Sequence, residues 1–184
     1  MHKKYLGDSF DIVKRFFAER LATVAPLLAH PRFVPTEIRP AFEKMTRMRV
    51  LGATEAPTQP FGLFLDPHTG IPLPAAALRT ATVSHAPLQF IADEFARLKP
   101  RYVICFDQSH DRGCDLPRSD QRKRKCTELR ARNLNSFYYV SHAPFLFAAA
   151  ERTVLDSLRA RLVESGIPEW RLEGESPQSI QPAG

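Results

Sequence analysis

The chain has 184 residues, 43% of them hydrophobic and 25% charged, which is the composition of a globular protein and not of a disordered or fibrous one. That length builds one domain with a real core and is short for two ordinary ones. A formal net charge of +6 and a pI near 9.5 favour a polyanionic partner, and no apolar run approaches the roughly 20 residues that span a bilayer, so no membrane partner is expected.

The opening stretch "MHKKYLGDSFDIVKRFF" starts basic but carries Asp8 and Asp11 and lacks a small-residue cleavage site, so it reads as folded protein and not as a signal peptide. From 8 to 28, Phe10, Val13, Phe17, Leu21 and Val24 recur at three- and four-residue steps, with Lys14, Arg15, Glu19 and Arg20 largely off that face. This predicts an amphipathic helix, capped by Asp8 or Ser9 and ended by Pro26 and Pro31. Prolines at 31, 35, 40, 57 and 60 make the next segment mostly loop, with a short helical piece over 36–46 and a strand over 47–52. A second strand, 61–66, follows after only about nine residues, whereas a parallel crossover needs a dozen or more. The two are therefore antiparallel neighbours or not directly paired.

From residue 61 the order becomes regular. The strand "FGLFLD" (61–66) leads through a Pro- and Ala-rich loop to a helix over 87–99, and the strand "RYVICFD" (101–107) leads to a basic helical stretch reaching about 134. The strand "FYYVSH" (137–142) leads to a long helix from Pro144 to Gly166. This β-α-β-α-β-α order predicts a three-layer, mostly parallel α/β sheet of Rossmann-like type, with an antiparallel extra strand as an option. The domain is expected to span residues 1–174, with 175–184 as a disordered tail. Cys105 sits inside a strand, and Cys114 and Cys126 lack metal-ligand spacing; three unpatterned thiols suit a reducing compartment, so the expected location is the cytoplasm.

In open parallel sheets, ligands bind outside the carboxyl ends of the strands. Here the first of the three regular strands ends on Asp66 and His68, the second on Asp107, Gln108, Ser109 and His110, and the third on Ser141 and His142. Asp and Ser are also common turn formers and helix caps, so any one of these positions has a structural reading as well. Taken together they predict a site in which Asp66 and Asp107 bind a divalent metal, Mg²⁺ or Mn²⁺, while His68 or His110 moves a proton. Gln108 and His142 complete the catalytic set. The run 118–132 contributes Arg118, Arg122, Arg124 and Lys125 as phosphate contacts, or else is a solvated helix face. There is no H-E-x-x-H, G-x-S-x-G or Walker-type motif. The function expected from these residues is metal-assisted phosphodiester hydrolysis on nucleic acid or nucleotide phosphates.

"YLGDSFDIVKRFF" together with "FLDPHTG" resembles uncharacterised bacterial and phage proteins that carry a Gly-Asp/Asn-x-x-Asp-x-x-Lys helix and a later Asp-Pro-x-x-Gly turn. More distantly, the pattern resembles the ribosomal RNA adenine-N6 methyltransferases that begin Gly-Asn-x-x-Asp-x-x-Lys-His. The resemblance implies that Gly7, Asp8, Asp11 and Lys14 form a ligand-contacting helix start, with Asp8 and Lys14 as binding residues, and that Asp66 and Pro67 form the catalytic turn. The chain departs from that pattern where His68 replaces the second proline of the turn, and where Gly52 stands in place of a glycine-rich loop. S-adenosylmethionine is accordingly not an expected cofactor. The alternative function is a methyltransferase-like domain that binds nucleic acid or a partner protein without catalysis.

Overall fold

The computed structural model describes residues 6–74 and 84–174; the expected tail at 175–184 lies outside them. In chain order the elements are α1 (Ser9–Arg20), β1 (Leu27–Ala29), α2 (Arg39–Thr46), β2 (Arg49–Val50), β3 (Gly62–Leu65), α3 (Leu88–Leu98), β4 (Tyr102–Phe106), α4 (Arg118–Arg130), β5 (Asn135–Tyr139), β6 (Phe145–Ala149), α5 (Arg152–Glu164) and β7 (Leu172–Gly174). The strands form one mixed sheet in the order β2-β1-β3-β4-β6-β5-β7. The first four run parallel, and β6, β5 and β7 each lie antiparallel to the strand before them in that order.

The sheet is covered on both faces, which is why its central strands are apolar at every position and not alternately. Phe64, Ile104, Phe145 and Phe147 point into a core built with Phe17 of α1, Phe42 of α2 and Leu158 of α5. Leu63, Leu65, Val103, Cys105 and Leu146 point into the other core, with Ile91 of α3 and Leu129 of α4. The chain is a three-layer α/β domain whose parallel half is extended by antiparallel strands. No described helix is long and apolar enough to cross a membrane.

Two expectations change and one pair of alternatives is decided. The helix predicted over 8–28 stops at Arg20, and Leu27–Ala29 becomes β1. Proline at 26 cannot supply the N–H a helix needs, and β1 is paired on both sides, by β2 and β3. Of the two alternatives for residues 47–66, the second holds: β2 and β3 are not directly paired, because β1 lies between them.

The helix predicted to begin at Pro144 instead begins at Arg152. The preceding residues 145–149 form β6, inserted between β4 and β5. Phe145, Phe147 and Ala149 face one core while Leu146 and Ala148 face the other. A strand satisfies that two-sided burial, whereas a helix would turn one of these residues toward solvent. Because β6 is antiparallel to both its neighbours, β5 runs in the direction of β4. The carboxyl ends of β1 to β5 therefore share one edge.

Candidate functional site

Asp107 follows β4 directly and turns toward the α4 layer, since Phe106 before it faces the α1 layer. Its carboxylate accepts five hydrogen bonds: from the Ile71 N–H (2.8 Å), the Ser109 N–H (3.0 Å) and hydroxyl (2.8 Å), Lys125 Nζ (2.7 Å) and the Tyr138 hydroxyl (2.8 Å). Lys125 also donates to Ser109 Oγ (3.0 Å) and to the Ser109 carbonyl (3.4 Å), so its three N–H bonds are all engaged. Ser109 Oγ also lies within hydrogen-bonding reach of the Ile71 carbonyl, so its single proton is shared between that oxygen and Asp107, which closes the network on itself. Burial, then the adjoining Asp107 carboxylate, push the Tyr138 phenol well above its ordinary pKa, so it remains a donor. The turn after β3 fits against this knot only through glycine. Gly70 has φ +116°, and a Cβ there would lie 2.4 Å from Asp107 Oδ1 and 2.8 Å from the Asp107 Cα.

Asp66 follows β3 and turns the other way, toward α1. Lys14 Nζ donates to Asp66 Oδ2 (2.8 Å) and to Asp11 Oδ1 (3.0 Å), while Asp11 Oδ2 accepts from the Gly7 N–H (2.7 Å). Burial opposes the ammonium, yet Asp66 and Asp11 outweigh it and hold the Lys14 pKa above the ordinary lysine value. Asp8 caps the helix, its carboxylate accepting from the N–H groups of Phe10 and Asp11. The start of α1 and the Asp-Pro turn are thus tied together by one buried ammonium.

A cavity of about 490 Å³ opens beside the start of α4, its rim formed by Gln108, His110, Arg112 and Arg118 and its wall by His85 and Lys125. A smaller recess of about 190 Å³ shares Gln108, His110 and Arg118 and reaches Asp107, Arg122 and Ser141. Arg118 is the first residue of α4, where backbone N–H groups lack helical acceptors and the helix dipole is positive. Arg112 and Arg118 are exposed, and neither has an ion-pair partner among the described residues. Gln121 anchors this rim, accepting from the Asp111 N–H (3.0 Å) and donating to the carbonyls of Asp111 and Leu116 (both 3.0 Å).

The structure brings Asp107, Gln108, His110, Arg118, Arg122 and Lys125 together at these cavities. It does not bring Asp66, His68 or His142 to them. His68 is exposed on its turn, and His142 is exposed and stacks on Phe10 of α1, with ring centroids 5.4 Å apart. The shared metal site expected between Asp66 and Asp107 is not the arrangement found. The two carboxylates lie at one edge but on opposite faces of the sheet, each bonded to its own lysine. Among the described residues, no group of three or more His, Cys, Asp or Glu side chains is placed to hold a metal ion.

The basic run divides as well. Lys125, expected at a phosphate-binding surface, is buried beneath the sheet edge with its side chain 1% exposed. Arg122 forms a paired contact with Glu173 through Nε (2.9 Å) and a terminal nitrogen (2.8 Å). Arg124 is exposed and lines neither cavity. Sequence reasoning missed Arg112, Tyr138 and Gly70. One signal was available for Lys125: Gln121, Lys125 and Leu129 recur at four-residue steps, the inward stripe of a helix.

Comparison with protein-family models, with curated proteins and with solved structures gives no match for the chain.

Proposed function

We propose that this domain binds a phosphate-bearing ligand, a nucleotide or a nucleic-acid strand, in the cavity beside the start of α4. The observation that carries the reading is the pair Arg112 and Arg118, two guanidinium groups with no carboxylate partner among the described residues, on the rim of one cavity at a helix N-terminus. A guanidinium presents N–H pairs that match two oxygens of a phosphate, and the helix start adds backbone donors and positive potential. Gln108 and His110 supply further polar contacts on the same rim. Asp107 and Lys125 act beneath the ligand: they neutralise each other and fix the loops that carry Ile71 and Ser109. This is the non-catalytic alternative drawn from the sequence.

One observation favours a second reading, hydrolysis of the bound phosphodiester: His110 lines the same cavity as the two arginines. In that reading His110 moves the proton. A divalent cation at Asp107 would first have to displace Lys125 and Tyr138 from its carboxylate, and so binding is the better supported function.

The test is fluorescence anisotropy with a labelled single strand and a labelled mononucleotide over a range of salt. Replacing both Arg112 and Arg118 by Gln should weaken binding and flatten its salt dependence by about one unit of slope per lost contact. Arg124→Gln should leave both unchanged. Equal binding by wild type and the double variant would remove the proposal. Strand cleavage that His110→Gln abolishes would select the second reading.

A further inference from the structure

A separate cavity of about 420 Å³ lies at the carboxyl ends of β1 and β2, lined by His30 and Arg32 after β1, Gly52 after β2, Arg39 at the start of α2, and Phe90 and Glu94 of α3. It sits beside the point where strand order reverses. From β1 the chain crosses to β2 through α2 on one face of the sheet, and from β3 it crosses to β4 through α3 on the other. Ligands of open α/β sheets bind outside the strand ends at such a point.

The charges here do not cancel. Glu55 on the wall is held by both terminal nitrogens of Arg49 (2.7 Å each) and by the Gly52 N–H (2.9 Å). These bonds, the Arg49 pair foremost, hold its pKa down to about 2. Glu94 accepts from the guanidinium of Arg97 and faces His30 Nε2 at 3.3 Å. With both carboxylates answered, Arg32 and Arg39 are left without a counter-charge among the described residues.

Both arginines are also held in place. Arg32 lies over the Phe90 ring, 4.6 Å from its centroid, and its side chain makes no hydrogen bond among the described residues, so its N–H groups remain for a ligand. Its backbone N–H donates to His30 Nδ1 (3.2 Å), which fixes the loop that carries it. Arg39 donates through Nε to the Val34 carbonyl (3.2 Å), so its terminal nitrogens remain for a ligand.

We infer that this cavity binds the phosphate of a phosphate monoester, with Arg32 and Arg39 as the two anion contacts, as a site separate from the cavity beside α4. Two unmatched positive charges suit a dianion, and the volume suits a small metabolite or nucleotide and not a strand. The inference does not depend on the function proposed above, because the two sites share no residue.

Isothermal titration of the full chain with inorganic phosphate at low ionic strength tests it, with phenyl phosphate as a second probe. Arg32→Gln and Arg39→Gln together should remove one class of site, while Arg112→Gln with Arg118→Gln should leave that class in place. If the proposal for the α4 cavity fails but this one stands, the wild type shows a single class of site, and the Arg32 and Arg39 changes abolish it. Should the double variant unfold, Arg32→Gln alone serves, since Arg32 is exposed and its side chain has no hydrogen-bond partner among the described residues. That single change should lower affinity about tenfold or more, as loss of a charged hydrogen bond does. Phosphate isotherms that coincide for wild type, Arg32→Gln and the Arg32/Arg39 double variant overturn the inference.

Discussion

Asp66 and Asp107 end neighbouring parallel strands, and each is bonded to one buried lysine, yet the two knots are built differently. Asp107 draws donors from the turn after β3, from its own loop, from α4 and from β5, so four parts of the chain converge on it. Asp66 has Lys14 as its single hydrogen-bond donor among the described residues, and that lysine is shared with Asp11. The first knot is a floor beneath an open cavity; the second is a clasp that closes a helix start onto the sheet. A strand ending on aspartate can therefore mean either thing, and the number and origin of the donors separates them.

The largest effects should come from removing the lysines. Breaking a buried ion pair leaves an uncompensated charge, at a cost of about 3–5 kcal/mol. Lys14→Met should fall at the upper end, because Asp66 then keeps no donor among the described residues and faces Asp11, while Lys125→Met should fall at the lower end, because four bonds to Asp107 remain. Urea unfolding of the two variants measures this, and a greater loss in Lys125→Met would break the comparison. Next comes Gly70→Ala, where a positive φ and a clash with Asp107 combine to about 2–3 kcal/mol. Gly166→Ala is the control, since φ is +92° there but nothing lies within 4 Å of the added carbon. It should cost about 1 kcal/mol by thermal melting, from the backbone conformation alone.

Tyr138→Phe removes one bond to Asp107 and should cost about 1–2 kcal/mol. It should also change the response to alkali. The folded pKa of Tyr138 lies above the ordinary 10.0, so as pH rises the unfolded phenol ionises first and stability falls. Lys14, raised above 10.5, acts in the same direction: its contribution is fully present below 10.5 and is lost as pH rises through the folded pKa. Stability followed by urea unfolding should decline above about pH 10 in the wild type, and less steeply in Tyr138→Phe. An equal decline in the two would remove Tyr138 from the knot. The smallest effects belong to the surface of α4. Arg122→Ala, which frees Glu173, should cost up to about 1 kcal/mol, and Arg124→Ala should stay within about 0.5 kcal/mol.

The parallel half of the sheet was legible because "FGLFLD" and "RYVICFD" are short apolar runs bounded by turns, and a run buried on both faces has few other solutions. The same property hid β6: "FLFAA" has no alternation and flows into a helix, so its sequence does not mark where strand ends and helix begins. β1 is only three residues long and continues the apolar spacing of α1, so nothing local separates it from the helix except Pro26. The strand-end aspartates were legible as a shared edge. Their opposite faces were not, because facing depends on which residue of each strand is level with its neighbour. Leu65 pairs with Cys105, which sets Asp66 level with Phe106 and places Asp107 one residue further along. The role of Lys125 was masked by its company, since one inward lysine among five flanking basic residues at 118–130 looks like surface charge.

The difference between floor and clasp is best examined where a ligand would lie. Side-chain ¹H–¹⁵N spectra of arginine, recorded while a mononucleotide is added, report on each guanidinium separately. The Nε signals of Arg112 and Arg118 should move together and saturate, while Arg124 stays still and the Lys125 ammonium, held by Asp107, keeps its position. Signals that move at Arg124 while Arg112 and Arg118 do not would contradict phosphate binding in the cavity beside α4.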